Sequence, residues 1–302
     1  MIREKAINND SEQELKNSWF ASLSLTFSLT ASGTQLTRTE RHGPLSVQKA
    51  FYPEGRDCAH IYLLHPPAGI VSGDELHINI AVKRQAHSLI TTPGANRFYR
   101  AREDHAIGDS KQVQHCKFYL AACAKCENFP LETIVYEGAD GFNTVDVHLQ
   151  NDSAYLGWDI TCLGLPSSGQ PFQHGRYSQL NRVYCQNTLI YHDRIVIKPE
   201  NKVHQHIAGL NHQSVFATFL AFAPLGQFDD DELKALIVQL REHILSEKAG
   251  DNVSISQVRR LLIIRYLGQQ AEQCKAIFIQ LWQILRPLYL NKAANIPRIW
   301  HT

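Results

Sequence analysis

The sequence predicts a mainly β body followed by two α-helices near the C-terminus. Three observations carry this. Apolar and polar residues alternate with period two in several short runs, Gly- and Pro-containing turns separate those runs, and in the last quarter the apolar spacing changes to that of a helix.

Residues 1–17 are polar and read as a frayed tail, leaving 18–302 as a single domain. Leu23, Leu25, Phe27 and Leu29 alternate with Ser22, Ser24, Thr26, Ser28 and Thr30, which sets the apolar residues on one face of a half-buried strand. The pattern returns at Leu76, Ile78, Ile80 and Val82, and at Val145, Val147 and Leu149. Shorter β-rich runs lie at 61–64, 88–91, 112–120, 133–136, 189–191 and 195–197. Gly43-Pro44, Pro53-Glu54-Gly55, Pro66-Pro67, Pro93-Gly94 and Ser168-Gly169 supply the turn chemistry between them.

Asp229–Asp231 then puts negative charge at a helix start. Leu233, Leu236, Ile237, Leu240, Ile244 and Leu245 follow at helical spacing, so 230–247 reads as an amphipathic helix. A strand over 261–267 comes next. A second helix over about 271–286 carries Cys274, Ile277, Phe278, Leu281, Trp282 and Leu285 on one side, with Pro287 expected to end it.

The bulk properties narrow the function classes. The 302 residues are 44% hydrophobic and 20% charged, with a formal net charge of +1. That balance offers no basic face for nucleic acid and no polybasic anchor. No apolar run reaches the roughly 20 residues that span a bilayer, and the N-terminus has no signal-peptide core, so a cytoplasmic protein is expected. Seven scattered cysteines fit reduced thiols better than a disulfide framework.

Chemistry-bearing motifs are sparse. Cys123-Ala-Lys-Cys126 has C-x-x-C spacing, but no second ligand pair stands at zinc-site distance and the flanks lack a strand-to-helix context, so the bland reading is two unlinked thiols. His204-Gln-His206 would share a face on a strand and bind a metal loosely; a solvated strand end is the plainer reading. No nucleophile elbow, phosphate loop or dinucleotide fingerprint is present. A catalyst built from distant residues and a dedicated metal-binding protein stay open beside a non-catalytic scaffold. The scaffold is favoured because the informative residues shape loops. These loops are four Gly/Pro-dense segments, His65–Asp74, Thr91–Arg100, Leu131–Gly138 and Gly157–Gly164, the last continuing through Pro166 and Gly169 to Gly175.

The four segments, in this order, resemble the UreD (UreH) family of urease accessory proteins, over roughly 18–302. The residues that carry the resemblance are His65, Pro66, Pro67, Gly69 and Gly73; Thr92, Pro93, Gly94, Arg97, Tyr99 and Arg100; Glu132, Glu137 and Gly138; Trp158 and Gly164. Gly43-Pro44-Leu45, Phe51-Tyr-Pro-Glu54, Arg265-Tyr-Leu-Gly268, Arg286-Pro287 and the ending Pro297–Thr302 match as well. Ala68 and Ser72 stand where the family usually has glycine, and Leu165 where arginine is common.

The resemblance implies an elongated, β-helix-like body of stacked sheets and a non-catalytic role in urease maturation. It implies binding to UreF, through it to the GTPase UreG, and docking on urease apoprotein in a dimer of heterocomplexes, with no nucleic acid or membrane partner. No tightly bound cofactor is implied, only nickel in transit along an interior polar route. Acidic positions of that route match Asp74, Asp159 and Asp193, and Trp282, Arg286, Tyr289 and Trp300 are the matching candidates for contact with UreF. Scattered carboxylates suit an ion that must be released better than a closed Cys/His cage does.

Overall fold

The computed structural model describes residues 19–301 apart from 105, 107 and 248; the polar segment 1–17 lies outside the described residues. Among the described residues there are seventeen strands in two sheets. In chain order the first are β1 (Trp19–Thr30), β2 (Gly33–His42), β3 (Ser46–Val47), β4 (Ala59–Leu64), β5 (Asp74–Val82) and β6 (His87–Thr91). Next come β7 (Asn96–Phe98), β8 (Gln112–Leu120), β9 (Lys125–Phe129), β10 (Thr133–Val135), β11 (Asp140–Leu149) and β12 (Ala154–Leu163). The rest are β13 (Arg176–Cys185), β14 (Thr188–Ile197), β15 (Val215–Phe222), β16 (Val253–Val258) and β17 (Leu261–Gly268), with α1 (Asp230–Ser246) and α2 (Ala271–Leu290) near the end.

From β4 to β13 the chain alternates between sheets. β5, β8, β11 and β13 pair in parallel in the seven-stranded sheet, and β4, β6, β9 and β12 pair in parallel in the ten-stranded one. Four successive coils therefore stack as in a β-helix, matching the expected mainly β, stacked-sheet architecture. Antiparallel strands close the stack: β2 beside β1, β14 beside β13, and β15, β17 and β16 beside β12.

Alternation along the second sheet serves two cores at once. Leu220, Phe222, Leu261 and Ile263 face the space between the sheets, whereas Phe219, Ala221, Leu262 and Ile264 face the helices. Strands buried on both faces lose the half-polar alternation that betrays a strand. For this reason β12 and β15 were not legible beforehand, and neither were β9, β13, β16 and the largely exposed β2.

The first helix starts as expected. Asp229 accepts from the backbone N–H groups of Asp231 and Glu232, and Glu232 reaches back to the Asp229 N–H, a capping box worth about 1 kcal/mol. The second differs from expectation. Pro287 lies inside α2, which continues to Leu290. A proline in the final turn forfeits one helical bond, but burial of Tyr289 and Leu290 and a left-handed Asn291 cap, whose N–H bonds the Pro287 carbonyl, hold the last turn.

Charged groups join α2 to the coils. Arg286 and Glu127 are both fully buried. Arg286 Nη2 stands 2.9 Å from Glu127 Oε1 and 2.6 Å from Glu54 Oε1, and Nη1 donates to the Ala293 carbonyl. Trp282 Nε1 donates to Glu127 at 2.7 Å, His87 Nε2 lies 2.9 Å from the same carboxylate, and His60 meets Glu54 at 2.6 Å. Burial opposes the charge on Glu127, yet the His87 bond and the Arg286 charge hold its pKa below the usual range; burial pushes the His87 pKa down, against the Glu127 bond that raises it.

Removing one member of a buried pair strands the other charge. Glu127→Ala and Arg286→Met are each expected to lower unfolding free energy by about 3–5 kcal/mol, read from urea denaturation, with the double variant losing much less than the sum. Single losses under about 1 kcal/mol, the range of exposed pairs, would contradict this arrangement.

Candidate functional site

All four Gly/Pro segments turn out to be the same structural object. Each carries the chain from the second sheet to the first: His65–Gly73 joins β4 to β5, Thr92–Lys111 joins β6 to β8, Pro130–Ala139 joins β9 to β11, and Gly164–Gly175 joins β12 to β13. Stacked corners bond to one another. Ile70 N–H donates to the Arg97 carbonyl, Ala101 N–H to Gly138, Gly138 N–H to His174, and Gly164 N–H to Val135.

Individual motif residues serve this ladder. His65 accepts from Ala68 in the turn that follows Pro66 and Pro67, and burial lowers the His65 pKa. A Cβ on Gly69 would meet the Tyr99 ring at 2.3 Å, so only glycine fits there. Ala68 sits at φ 62°, a left-handed angle that favours glycine, while Ser72 Oγ accepts from Arg102 N–H. Arg97 reaches the Ala68 carbonyl, Thr92 Oγ1 accepts from Leu131 N–H, and the Glu132 carbonyl accepts from Asn96. Glu137 accepts from the N–H groups of Gln173 and His174, and Arg100 bonds Glu103 while its stem covers Gly138. Gly73 and Gly164 both take left-handed φ, Pro93-Gly94 turns the second corner in open space, and Trp158 donates to the Pro130 carbonyl while stacking on Phe129.

Between the sheets, polar side chains run through an otherwise apolar core. Asn96 Nδ2 donates to Gln114 Oε1, and Gln114 Nε2 to Asn143 Oδ1, both at 3.2 Å. Asn143 bonds the Tyr177 hydroxyl, which donates to Gln179 Oε1 at 2.9 Å. Gln179 donates to Asn181, and Asn181 to Asp159 Oδ2 at 3.3 Å. The column opens into a cavity of about 490 Å³ lined by Asp159, Gln179, Asn181, Asp193 and Arg265. Burial raises the Asp159 pKa to about 6, against the Asn181 bond that lowers it. Asp193 is bound by the Tyr191 hydroxyl at 3.0 Å and by Arg265 at 3.3 Å.

Asp159 and Asp193 thus share one cavity. Asp74 is elsewhere, at the loop end of β5, where its carboxylate accepts from Val71 N–H at 2.9 Å and burial raises its pKa. Gln112, two residues before Gln114 on the inward face, bonds the carbonyls of Ile70 and Tyr99 and brings the column toward that end. The column amides were missed in the sequence because Leu180 breaks the alternation of Tyr177, Gln179 and Asn181.

Among the described residues, two groups have metal-like spacing, Glu54 with Cys58 and His60, and Cys58 with His87 and Glu127. Arg286 lies among them and bonds both carboxylates, so that cluster already holds its cation. Trp282, Arg286, Tyr289 and Trp300 are buried as well. A partner contact was expected at these positions; the rings of Trp282, Tyr289 and Trp300 pack in the second core, and Trp300 Nε1 donates to Thr91. Cys123, exposed at φ 56° in a tight corner of the opposite edge, and Cys126, buried in the first core, are free thiols. His204 and His206 lie in a turn, not a strand. Among the described residues, no helix is long and apolar enough to cross a membrane.

Comparison with known proteins agrees with the loop pattern. The family model for "UreD urease accessory protein" matches residues 20–301. The chain is 64% identical to the urease accessory protein UreD of Psychromonas ingrahamii, over 95% of each chain. It is 40% identical to that of a Marinomonas species, covering 94% of this chain and 90% of the other. It is 35% identical to that of Saccharophagus degradans, covering 94% and 93%. With its corner ladder, its interior polar column and these relatives, the chain belongs to the UreD family of urease accessory proteins.

Proposed function

We propose that this cytoplasmic protein is the scaffold that docks a UreF–UreG GTPase complex on apo-urease, in a dimer of heterocomplexes, and passes nickel through its own interior. The observation that carries this reading is the continuous polar column ending at Asp159. Its members are mostly neutral amide and hydroxyl groups. Such groups are weak oxygen ligands for Ni²⁺, able to relieve hydration without trapping the ion. Asp159 and Asp193 provide the negative charge that favours entry of a divalent cation, and Arg265 beside Asp193 limits how tightly it is held. Asp74, at the loop end, is the candidate for the far mouth.

The test is urease activation in cells expressing the urease subunits and the other accessory proteins, with and without this chain. Activity and bound nickel should collapse together in its absence, and Asp159→Ala should lower both by roughly ten- to a hundredfold, as ligand-shell changes do. Fully loaded urease without the chain would end this reading.

Asp159 also gives a pH signature. Its folded pKa of about 6 lies above the ordinary 3.8, so across that window the folded chain keeps a proton that the unfolded chain releases. Stability therefore declines as pH rises through the window, while nickel uptake, which needs the carboxylate, rises near pH 6. Asp159→Asn should flatten both profiles; an unchanged nickel profile would remove Asp159 from the route.

A further inference from the structure

The turn that follows β14 carries His204, His206 and His212, and its Gly209 and Leu210 line the rim of the cavity that holds Asp159 and Asp193. The chain doubles back here. Leu210 N–H bonds the Val203 carbonyl and His212 N–H bonds the His204 carbonyl at 2.8 Å, with Asn211 and His212 both left-handed. This reversal sets the two imidazoles side by side, ring centres 6.4 Å apart and 63° between planes.

His204 is held in an unusual way. Its Nε2 is buried without a hydrogen-bond partner, while its ring bonds the backbone of Gln213, which leaves Nδ1 as the bonded nitrogen. A buried ring nitrogen left unsatisfied calls for an explanation. One nitrogen fixed by a backbone group and the other left free is the way metal-binding histidines are oriented. An ion about 2 Å from each of two imidazole nitrogens sets the ring centres roughly 4.5–6.5 Å apart, depending on the angle at the metal. The observed separation falls at the wide end, and the His212 side chain is exposed.

We propose that His204 and His212 form a two-imidazole site for a divalent transition metal at the rim of the Asp159 cavity. The proposal rests on the nickel-route reading and adds to it a loading point. Two imidazoles completed by water bind nickel more weakly than a four-ligand cage, which suits an ion that is to move on to carboxylates. His206 is excluded: its Nδ1 accepts from Ala208 N–H at 3.2 Å, which puts the neutral ring's proton on Nε2 and leaves neither nitrogen free.

Calorimetric titration of the full chain with Ni²⁺ tests this directly. His204→Ala and His212→Ala should each remove one nickel equivalent, or weaken it at least tenfold, and His206→Ala should bind as the parent does. Because the His212 side chain is exposed, His212→Ala keeps the test decisive even if His204→Ala misfolds. Unchanged stoichiometry and affinity in His212→Ala, or a loss in His206→Ala, overturns the site. That failure is distinct from failure of the maturation reading, which is decided by urease activation and not by nickel titration.

Discussion

The contact between Arg286 and Glu127 is the constraint on which the rest of the structure depends. Four parallel coils make a stack whose second sheet must be covered on its outer face, and α2 covers it. Apolar packing alone would let a helix slide over a sheet. The guanidinium prevents that by bonding Glu127 on β9 and Glu54 ahead of β4, while Trp282 and His87 complete the Glu127 carboxylate. A pair buried this deeply gains little net stability over an apolar replacement, but it fixes one registration of helix on sheet. That registration also holds the tail in place, with Trp300 bonded to Thr91 at the end of β6.

A fixed second sheet allows the other face of the same strands to be polar. Asp159 on β12 points into the space between the sheets while its neighbours Trp158 and Ile160 pack against the helices. A desolvated carboxylate, a cavity and a file of amides in the middle of a fold are costly features. Each member of the file is bonded to the next, with the Tyr177 hydroxyl between Asn143 and Gln179, which keeps the cost bearable and the path defined. The corner ladder at the loop end plays a complementary part. Glycine at Gly69 and the left-handed Gly73, Gly138 and Gly164 let adjacent corners approach closely enough to bond, and these are the residues that make the family recognisable.

Much of this was legible in the sequence, and unevenly so. Half-buried strands such as β1 and β5 announce themselves by alternation, and α1 by its acidic cap. The coil topology did not follow from any pattern of its own and entered through the resemblance alone. Strands buried on both faces, such as β12, read as undifferentiated apolar stretches. Asp159 and Asp193 were placed by matching motifs, and the structure brings them to one cavity; Asp74 instead belongs to the far end. At Trp282 and Arg286 the sequence is ambiguous, because an aromatic and an arginine on a helix signal an interface and a buried charge pair equally well. Only the distant Glu127 separates the two, and nothing in the local sequence points to it.

The most direct test of the account is to block the column without touching its carboxylates. Gln179→Leu keeps the size of the buried side chain and removes both of its bonds, to Tyr177 and to Asn181. Nickel content of urease would be measured after co-expression with the variant, alongside recovery of the variant in complex with its maturation partners. The account predicts intact complexes and nickel-poor urease. Intact complexes with fully loaded urease would contradict it, because the ion would then have no need of the interior of this protein.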